Sequence, residues 1–405
     1  MSSGSGNSES KFELRLDPIS RRTLFRRGAG LAAIGIAPAV LAACGGGGSS
    51  SSGTTTGGSE TTAAKIGGTI AYFGYEGMDF PEPLKKFNQE NNLKVQAGYL
   101  TSVTEIPAKF AAGGNPEIDV LQFGDPELPF MLTSGVELEA LDLEQIPNWK
   151  NVERFVELGG EDNFQNENGD LVAVPIAWGS LGITYDASKV KEPTAWQQLI
   201  EPEFKDKITL LDDAGVNYAL AAKILGFKVA ELDEAKLNEC SEFLKKVIGN
   251  AKNISPSYGD ISNLISAGEI EAVFAGFGLI DALAAEAGNN NVKTNINLKE
   301  GSLAFAETYT VPVGAPNIAN AYAMVNEVLD SKVNPEAASS IILSSVVDGG
   351  PEKQPKSIAS LYPSGKEWES YFSKNDLVQN PPAVSDKYVT FGELIESWTK
   401  IKGEV

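Results

Sequence analysis

The residues with the clearest chemistry lie at the front of the chain. Ser20-Arg21-Arg22-Thr23-Leu24-Phe25 carries paired arginines, Arg21 and Arg22, the pattern read by the twin-arginine export route. The apolar stretch from Gly28 to Ala43 is broken by Pro38 and several glycines. It falls short of the roughly 20 apolar residues a bilayer crossing needs, so it reads as the apolar region of a signal segment rather than a short anchor. It ends in Leu41-Ala42-Ala43-Cys44, small residues directly before a cysteine. That is the setting in which a thiol is lipidated and the cysteine becomes a new N-terminus. The reading is therefore a signal segment over 1–43, lipidation at Cys44, and a flexible tether over 44–65, where Gly, Ser and Thr predominate.

Other chemistry is limited by what is missing. The chain has no histidine, which removes the usual general base, the Ser-His and Cys-His dyads and the commonest metal ligand. No Gly-x-Ser-x-Gly elbow and no Gly-x-x-x-x-Gly-Lys phosphate loop occurs. No enzyme activity, metal or cofactor is expected; a carboxylate-dependent extracellular glycosidase remains as an alternative of another class, although no pair of acids stands out. After the signal segment Arg154 is the only arginine, so the planar fork that holds carboxylates and phosphates is scarce. The formal net charge is −21, and the first 43 residues carry a basic excess, so the remainder is more acidic still. Such a surface repels nucleic acid and anionic lipid, leaving the lipid as the only expected membrane contact. With Cys44 acylated, Cys240 has no disulfide partner, and its helical spacing with Leu237, Leu244 and Val247 marks a buried thiol.

The elements that must position a site follow from periodicity. Strands are expected over 68–73, 93–99 and 118–123, with helices over 81–91 and 105–112 between them. That alternation predicts right-handed βαβ units and a parallel sheet. Two apolar runs, 171–178 and 181–185, are separated by Gly179-Ser180. Next come a short helix over 194–200, a strand over 208–211, and helices over 215–225, 233–248 and 261–267. A strand over 270–275, a helix over 279–287 and a long buried run over 303–313 follow, and the tail is helical over 319–329, 335–347 and 392–400. Asp125, in Gly124-Asp125-Pro126, reads as a helix N-cap.

Several segments, in one collinear order, resemble a known family. They are Ile146-Pro147-Asn148-Trp149-Lys150-Asn151-Val152, the run Val172 to Asp186 centred on Pro175 and Trp178-Gly179, and Glu300-Gly301 through Val311-Pro312 to Ala315-Pro316-Asn317. Ala321-Tyr322 and Leu361-Tyr362-Pro363 complete the series. Together they are similar to the spermidine/putrescine-binding branch of bacterial extracellular solute-binding proteins, over nearly all of residues 66–400. The resemblance implies an α/β, two-lobed periplasmic-binding-protein fold of type II, its lobes joined by crossover strands and closing on a solute by hinge motion. It implies lobe 1 from 66–175 plus about 278–325, and lobe 2 from 176–277 plus about 326–405. The partners implied are a small solute and the permease subunits of an ABC importer, for a monomeric protein anchored by lipid outside the cytoplasmic membrane.

The resemblance also implies a ligand set. Polyamine recognition uses carboxylates for ammonium groups and aromatic faces for methylenes. Tyr75 stands where the family has a tryptophan, with Glu76 one position from the expected acid. Phe277 stands in Gly276-Phe277-Gly278-Leu279, where a second acid is missing. Asp212 lies beside a third acid position occupied by Val216. Phe305 and Glu307 keep the fourth in register. Trp178 and Ser180 sit at the crossover. The expected ligand-binding residues are thus Tyr75, Glu76, Trp178, Ser180, Asp212, Phe277, Phe305 and Glu307. A different amine-bearing solute, or a neutral polar one, is the alternative ligand.

Overall fold

The computed structural model describes residues 66–111 and 113–404. The arginine pair, Cys44 and the tether lie outside the described residues. Strands β1 (Gly68–Gly74), β2 (Leu93–Tyr99) and β3 (Val120–Gly124) are linked by short helices, Lys85–Glu90 and Glu105–Phe110. They run parallel, with β1 between β2 and β3, as the alternation of elements predicts. The chain continues through β4 (Ala173–Ser180), β5 (Gly182–Asp186), β6 (Ile208–Leu211), β7 (Ala251–Ser255), β8 (Ala272–Gly276) and β9 (Val292–Asn295), then β10 (Leu303–Thr310) and β11 (Asp376–Leu377).

Two sheets result. The first has the order β11-β10-β3-β1-β2, with β4 paired to the other edge of β10; the second has the order β7-β6-β8-β5-β9. β10 is antiparallel to both β3 and β4, and β5 is antiparallel to both β8 and β9. Every residue of β4 is buried, which explains its continuous apolar sequence: a strand covered on both faces needs no polar alternation. One core gathers Ile70, Leu121, Phe123, Phe155, Trp178 and Tyr309 around the first sheet. The other gathers Leu210, Tyr218, Leu220, Leu244 and Phe274 around the second. Cys240 is buried there, and burial pushes its thiol up to about 12.

The helices of the second lobe have defined starts. Asp213 accepts from the Val216 amide to cap Ala214–Leu225, and Asp233 caps Glu234–Asn250 in the same way. Thr390 and Glu393 form a capping box on Phe391–Lys402.

The lobes meet at a double crossover. β4 ends at Ser180 and β5 begins at Gly182; on the return, β9 ends at Asn295 and β10 begins at Leu303. The Leu181 amide donates to the Leu303 carbonyl, and the Ser302 hydroxyl donates to the Leu181 carbonyl. Gly182 is required here, because a Cβ would sit 2.5 Å from the Asn295 carbonyl oxygen. A third passage follows β11. The Asn380 amide donates to Pro126, the Ala383 amide donates to the Thr133 hydroxyl, and Phe391 packs 5.1 Å from Phe130.

The structure moves the expected lobe boundaries. The helix Gly278–Glu286 packs against β9, and β9 pairs with β5 in the second sheet, so the chain rejoins the first lobe at β10 rather than near residue 278. The tail divides differently too. Tyr322, Ala337, Trp368 and Tyr371 belong to the first core, while Ile342, Leu343, Ile358, Tyr362 and the terminal helix Phe391–Lys402 join the second. The expected helix over 335–347 stops at Ser340. Ile342 takes a positive φ of 57°, and Ser344 then bridges to Trp178. The buried Asn334 side chain fastens this turn, donating to the Ile176 and Val328 carbonyls and accepting from Ser345.

Gly182→Ala is expected to destabilise the fold by about 1–3 kcal/mol, because the opposing atom is backbone and cannot rotate away. A lowered melting temperature checks this; an unchanged one would show that the crossover yields freely.

Candidate ligand cleft

The C-terminal ends of β1 and β3 and the middle of β10 form one edge of the first lobe. Gly74 ends β1, and a Cβ there would lie 2.5 Å from the Tyr72 hydroxyl and 2.6 Å from Gln122 Cβ. The space is taken by a polar relay. Gln122 is buried in β3; its Oε1 accepts from the Tyr75 amide at 2.9 Å, and its Nε2 donates to Glu307 Oε2 at 2.7 Å. The Tyr72 hydroxyl donates to the Tyr75 carbonyl. Glu307 is thus 5% exposed, fixed on β10 opposite Gly124 and at the register shift of the β4 ladder. Burying a carboxylate is costly unless it is hydrogen-bonded, and the Gln122 amide meets part of that need.

Sequence reasoning missed Gln122. The signal was present, a single polar residue inside the apolar strand Val120–Phe123. It also misread Asp125. Gly124 occupies the cap position, while Asp125 is fully buried and its Oδ1 accepts from the Ala306 amide at 2.5 Å. Asp125 Oδ2 has no partner. Burial pushes this carboxyl well above the usual range, the Ala306 amide draws it back, and the charges of Glu127 and Glu307 push it up again. On the loop after β1, Asp79 accepts from the Tyr99 hydroxyl, and burial raises its carboxyl too. Glu76 is half-buried and acts on Asp79 and Tyr99.

Aromatic rings from both lobes close the space. Phe277 ends the passage out of β8 and stands edge-on to Tyr258 at 4.7 Å. It meets Phe305 of the first lobe at 5.6 Å with planes at 90°. Phe305 lies over Gly179, where a Cβ would come within 2.5 Å of the ring. The structure therefore brings together Tyr75 and Glu307 through Gln122, and Phe277 and Phe305 directly.

Three expected ligand residues have other duties. Trp178 is fully buried in the first core, 5.4–6.4 Å from the rings of Phe155, Tyr362, Trp368, Tyr371 and Phe372. The Ser180 hydroxyl pairs with the Tyr371 hydroxyl at 2.5 Å behind the crossover. Asp212 turns to the terminal helix, accepting from Trp398 Nε1 at 2.7 Å and Lys402 Nζ at 2.5 Å. Its neighbour Asp213 is spent as the helix cap. Arg154 pairs with Asp348 at 3.0 Å and stacks over Trp368, so the one arginine of the body is engaged. Among the described residues no group of three or more acids or cysteines is placed to hold a metal ion, and no helix is long and apolar enough to cross a membrane.

The family model described as bacterial extracellular solute-binding protein matches residues 83–342. This chain belongs to that family. A putrescine-binding periplasmic protein of Pseudomonas aeruginosa is 26% identical over 80% of the chain and 88% of its own length. A putrescine-binding periplasmic protein of Escherichia coli is 24% identical over 64% and 73%. Among solved structures, the spermidine/putrescine substrate-binding protein of Streptococcus pneumoniae superposes with a TM-score of 0.66, covering 83% of this chain and 98% of that one at 20% identity. The two-lobed α/β fold of this solute-binding protein is thereby shared with solved members.

Asp212→Asn is expected to lower stability by about 1 kcal/mol or less, since its pair with Lys402 is solvent-exposed, while leaving solute affinity unchanged. Chemical unfolding and calorimetric titration of the variant separate the two; a large affinity loss would return Asp212 to the site.

Proposed function

We propose that this protein is the solute receptor of an ABC import system and that its solute is a small amine, with polyamines the class named for its relatives. The observation that carries this reading is Glu307, a carboxylate buried on β10 and held by the Gln122 amide beside the loop that follows β1. Asp125 reinforces it, because the groups that push its carboxyl up beyond burial itself are acids. A cation supplies what such a site needs, and the rings of Phe277, Phe305 and Tyr258 offer their faces and edges to methylenes. The mechanism is capture and closure about the double crossover, with no bond made or broken in the solute. Export through Arg21-Arg22 and lipidation at Cys44 would hold the receptor on its tether outside the cytoplasmic membrane, where the closed form docks on the permease.

Titration of the protein with putrescine and spermidine should give saturable binding and a raised melting temperature. Glu307→Gln should weaken that binding at least tenfold, about 1.4 kcal/mol, because it keeps the shape and loses the charge. Equal affinity would make Glu307 a structural acid. Cys44→Ser should release the protein from the membrane fraction of cells expressing it; continued membrane association would remove the lipid anchor.

A further inference from the structure

One acid of the second lobe lies next to a cleft ring without being part of the cleft. Asp281 is half-buried in the first turn of the helix Gly278–Glu286, which starts directly after Phe277. That helix follows β8, yet the Asp281 carboxylate is bonded two strands away in the sheet. Its Oδ2 accepts from the Thr294 amide of β9 at 2.8 Å, and its Oδ1 accepts from the Thr294 hydroxyl at 2.6 Å. Thr294 stands opposite Thr184 of β5, and the two hydroxyls pair at 2.6 Å. Thr184 in turn fills the space at Gly276, where a Cβ would collide with its hydroxyl. The contacts make a continuous path from the helix, over β9 and β5, back to the end of β8 where the chain turns out to Phe277. That end is strained. Ala275 holds a positive φ of 59°, a region that a residue with a Cβ rarely enters and that persists only where its surroundings fix it. Two residues later Phe277 is extended, and its ring meets Phe305 of the first lobe at 5.6 Å.

We propose that Asp281 is a positioning residue for solute capture: through Thr294 and Thr184 it braces the turn from Ala275 to Phe277, and so holds the Phe277 ring where the solute is enclosed, without touching the solute itself. A carboxylate suits this role because it offers two acceptors in one plane to two donors on a single residue. An asparagine can keep both contacts, its oxygen accepting from the Thr294 amide and its nitrogen donating to the Thr294 hydroxyl oxygen. An alanine keeps neither. The inference rests on the amine reading above for its solute and adds a residue that reading does not include.

The brace has a pH signature. Burial pushes the Asp281 carboxyl up to about 7, while the Thr294 donors and Lys293 of β9 draw it back. Tyr185 of β5 senses the charges of Glu192 and Asp281 and is hydrogen-bonded to Glu192. The other helices packed on Gly278–Glu286 are Tyr258–Ser266 and Lys356–Ala359, whose ionisable side chains are Tyr258, Asp260 and Lys356. With its carboxyl raised, folded Asp281 holds its proton more tightly than the unfolded chain does. Its contribution to stability is therefore complete below about pH 4 and is lost as the pH rises to about 7.

The test compares Asp281→Ala and Asp281→Asn with the unaltered full exported protein. At a temperature where circular dichroism shows it folded, Asp281→Ala should speed hydrogen exchange over 272–279 and weaken putrescine binding in calorimetric titration, each by about tenfold. Asp281→Asn should restore both to within about twofold, and between about pH 4 and pH 7 its stability should fall less than that of the unaltered protein. Should Asp281→Ala not fold, Thr294→Val removes only the hydroxyl between Asp281 and Thr184 and carries the same expectations. Unchanged exchange overturns the brace. Faster exchange with unchanged affinity also overturns the proposal, making Asp281 a structural acid. So does an Asp281→Asn variant that binds as weakly as Asp281→Ala, since that outcome sets the charge itself against the solute. If putrescine does not bind the unaltered protein, the amine reading fails, and the exchange measurement still decides the brace.

Discussion

The antiparallel pairing of β4 with β10 is the constraint on which the rest of the structure depends. β4 carries the chain out of the first lobe and β10 brings it back, so the same ladder is both the crossover and the floor of the cleft. Its ends are fixed by backbone bonds, the Leu181 amide to Leu303 and the Ser344 amide to Trp178, which leave little freedom except at the linking residues themselves. Hinge motion in a two-lobed protein needs rigid bodies with a few residues that absorb the rotation. The links between the two sheets at this crossover are Leu181 and the segment between Asn295 and Leu303. The glycines beside them serve a different purpose. Gly179 and Gly182 are places where a ring or a carbonyl from the returning strand occupies the space of a side chain, so they bring the two passages close together.

That closeness puts charge where it would otherwise be excluded. Glu307 pairs with Gly124 across the β3–β10 ladder, Asp125 follows directly after Gly124, and Asp79 lies on the loop after β1, all of them buried. A strand interior does not tolerate such groups without partners, and the protein meets the requirement with neutral donors: the Gln122 amide, the Ala306 N–H and the Tyr99 hydroxyl. Neutral donors stabilise a carboxylate less than a lysine would. On the second lobe the acids that follow the strands are committed. Asp212 serves the terminal helix, Asp213 caps its own helix, and Asp281, pushed up to about 7 by burial, accepts from the Thr294 amide and hydroxyl.

How much of this was legible in the sequence follows from what each residue has to satisfy. Strand β6 is where its apolar pattern predicts because all of its residues are buried, and β2 also keeps its expected range although none of its residues is fully buried. Strands β7, β9 and β11 passed unread: they are short, and all three lie at sheet edges, where residues face water and no alternation is enforced. The helix expected over 335–347 ran too far because Ile342, Leu343, Val346 and Val347 are buried for another reason, around a left-handed turn at Ile342 and the bridge from Ser344 to Trp178. At the site, Glu307 was readable because an acid inside an apolar run is an anomaly that needs a cause. Asp125 was not, since an acid between glycine and proline has an ordinary explanation at a helix start. Asp212 misled in the opposite direction: it ends a strand at the cleft edge, but its partner is 190 positions later, on a helix whose docking no local pattern could reveal.

The terminal helix deserves weight in any account of closure. It belongs to the second core, yet the segment that delivers it is fastened to the first lobe through Asn380 to Pro126 and Ala383 to Thr133. Opening the cleft must therefore either stretch the residues between Ala383 and Thr390 or release one of those two bonds. Each is a single neutral hydrogen bond, worth about 1 kcal/mol net, so the strap can give way without unfolding either lobe. A restraint of that size biases the equilibrium toward closure while remaining within reach of the energy that solvating two buried acids would return on opening.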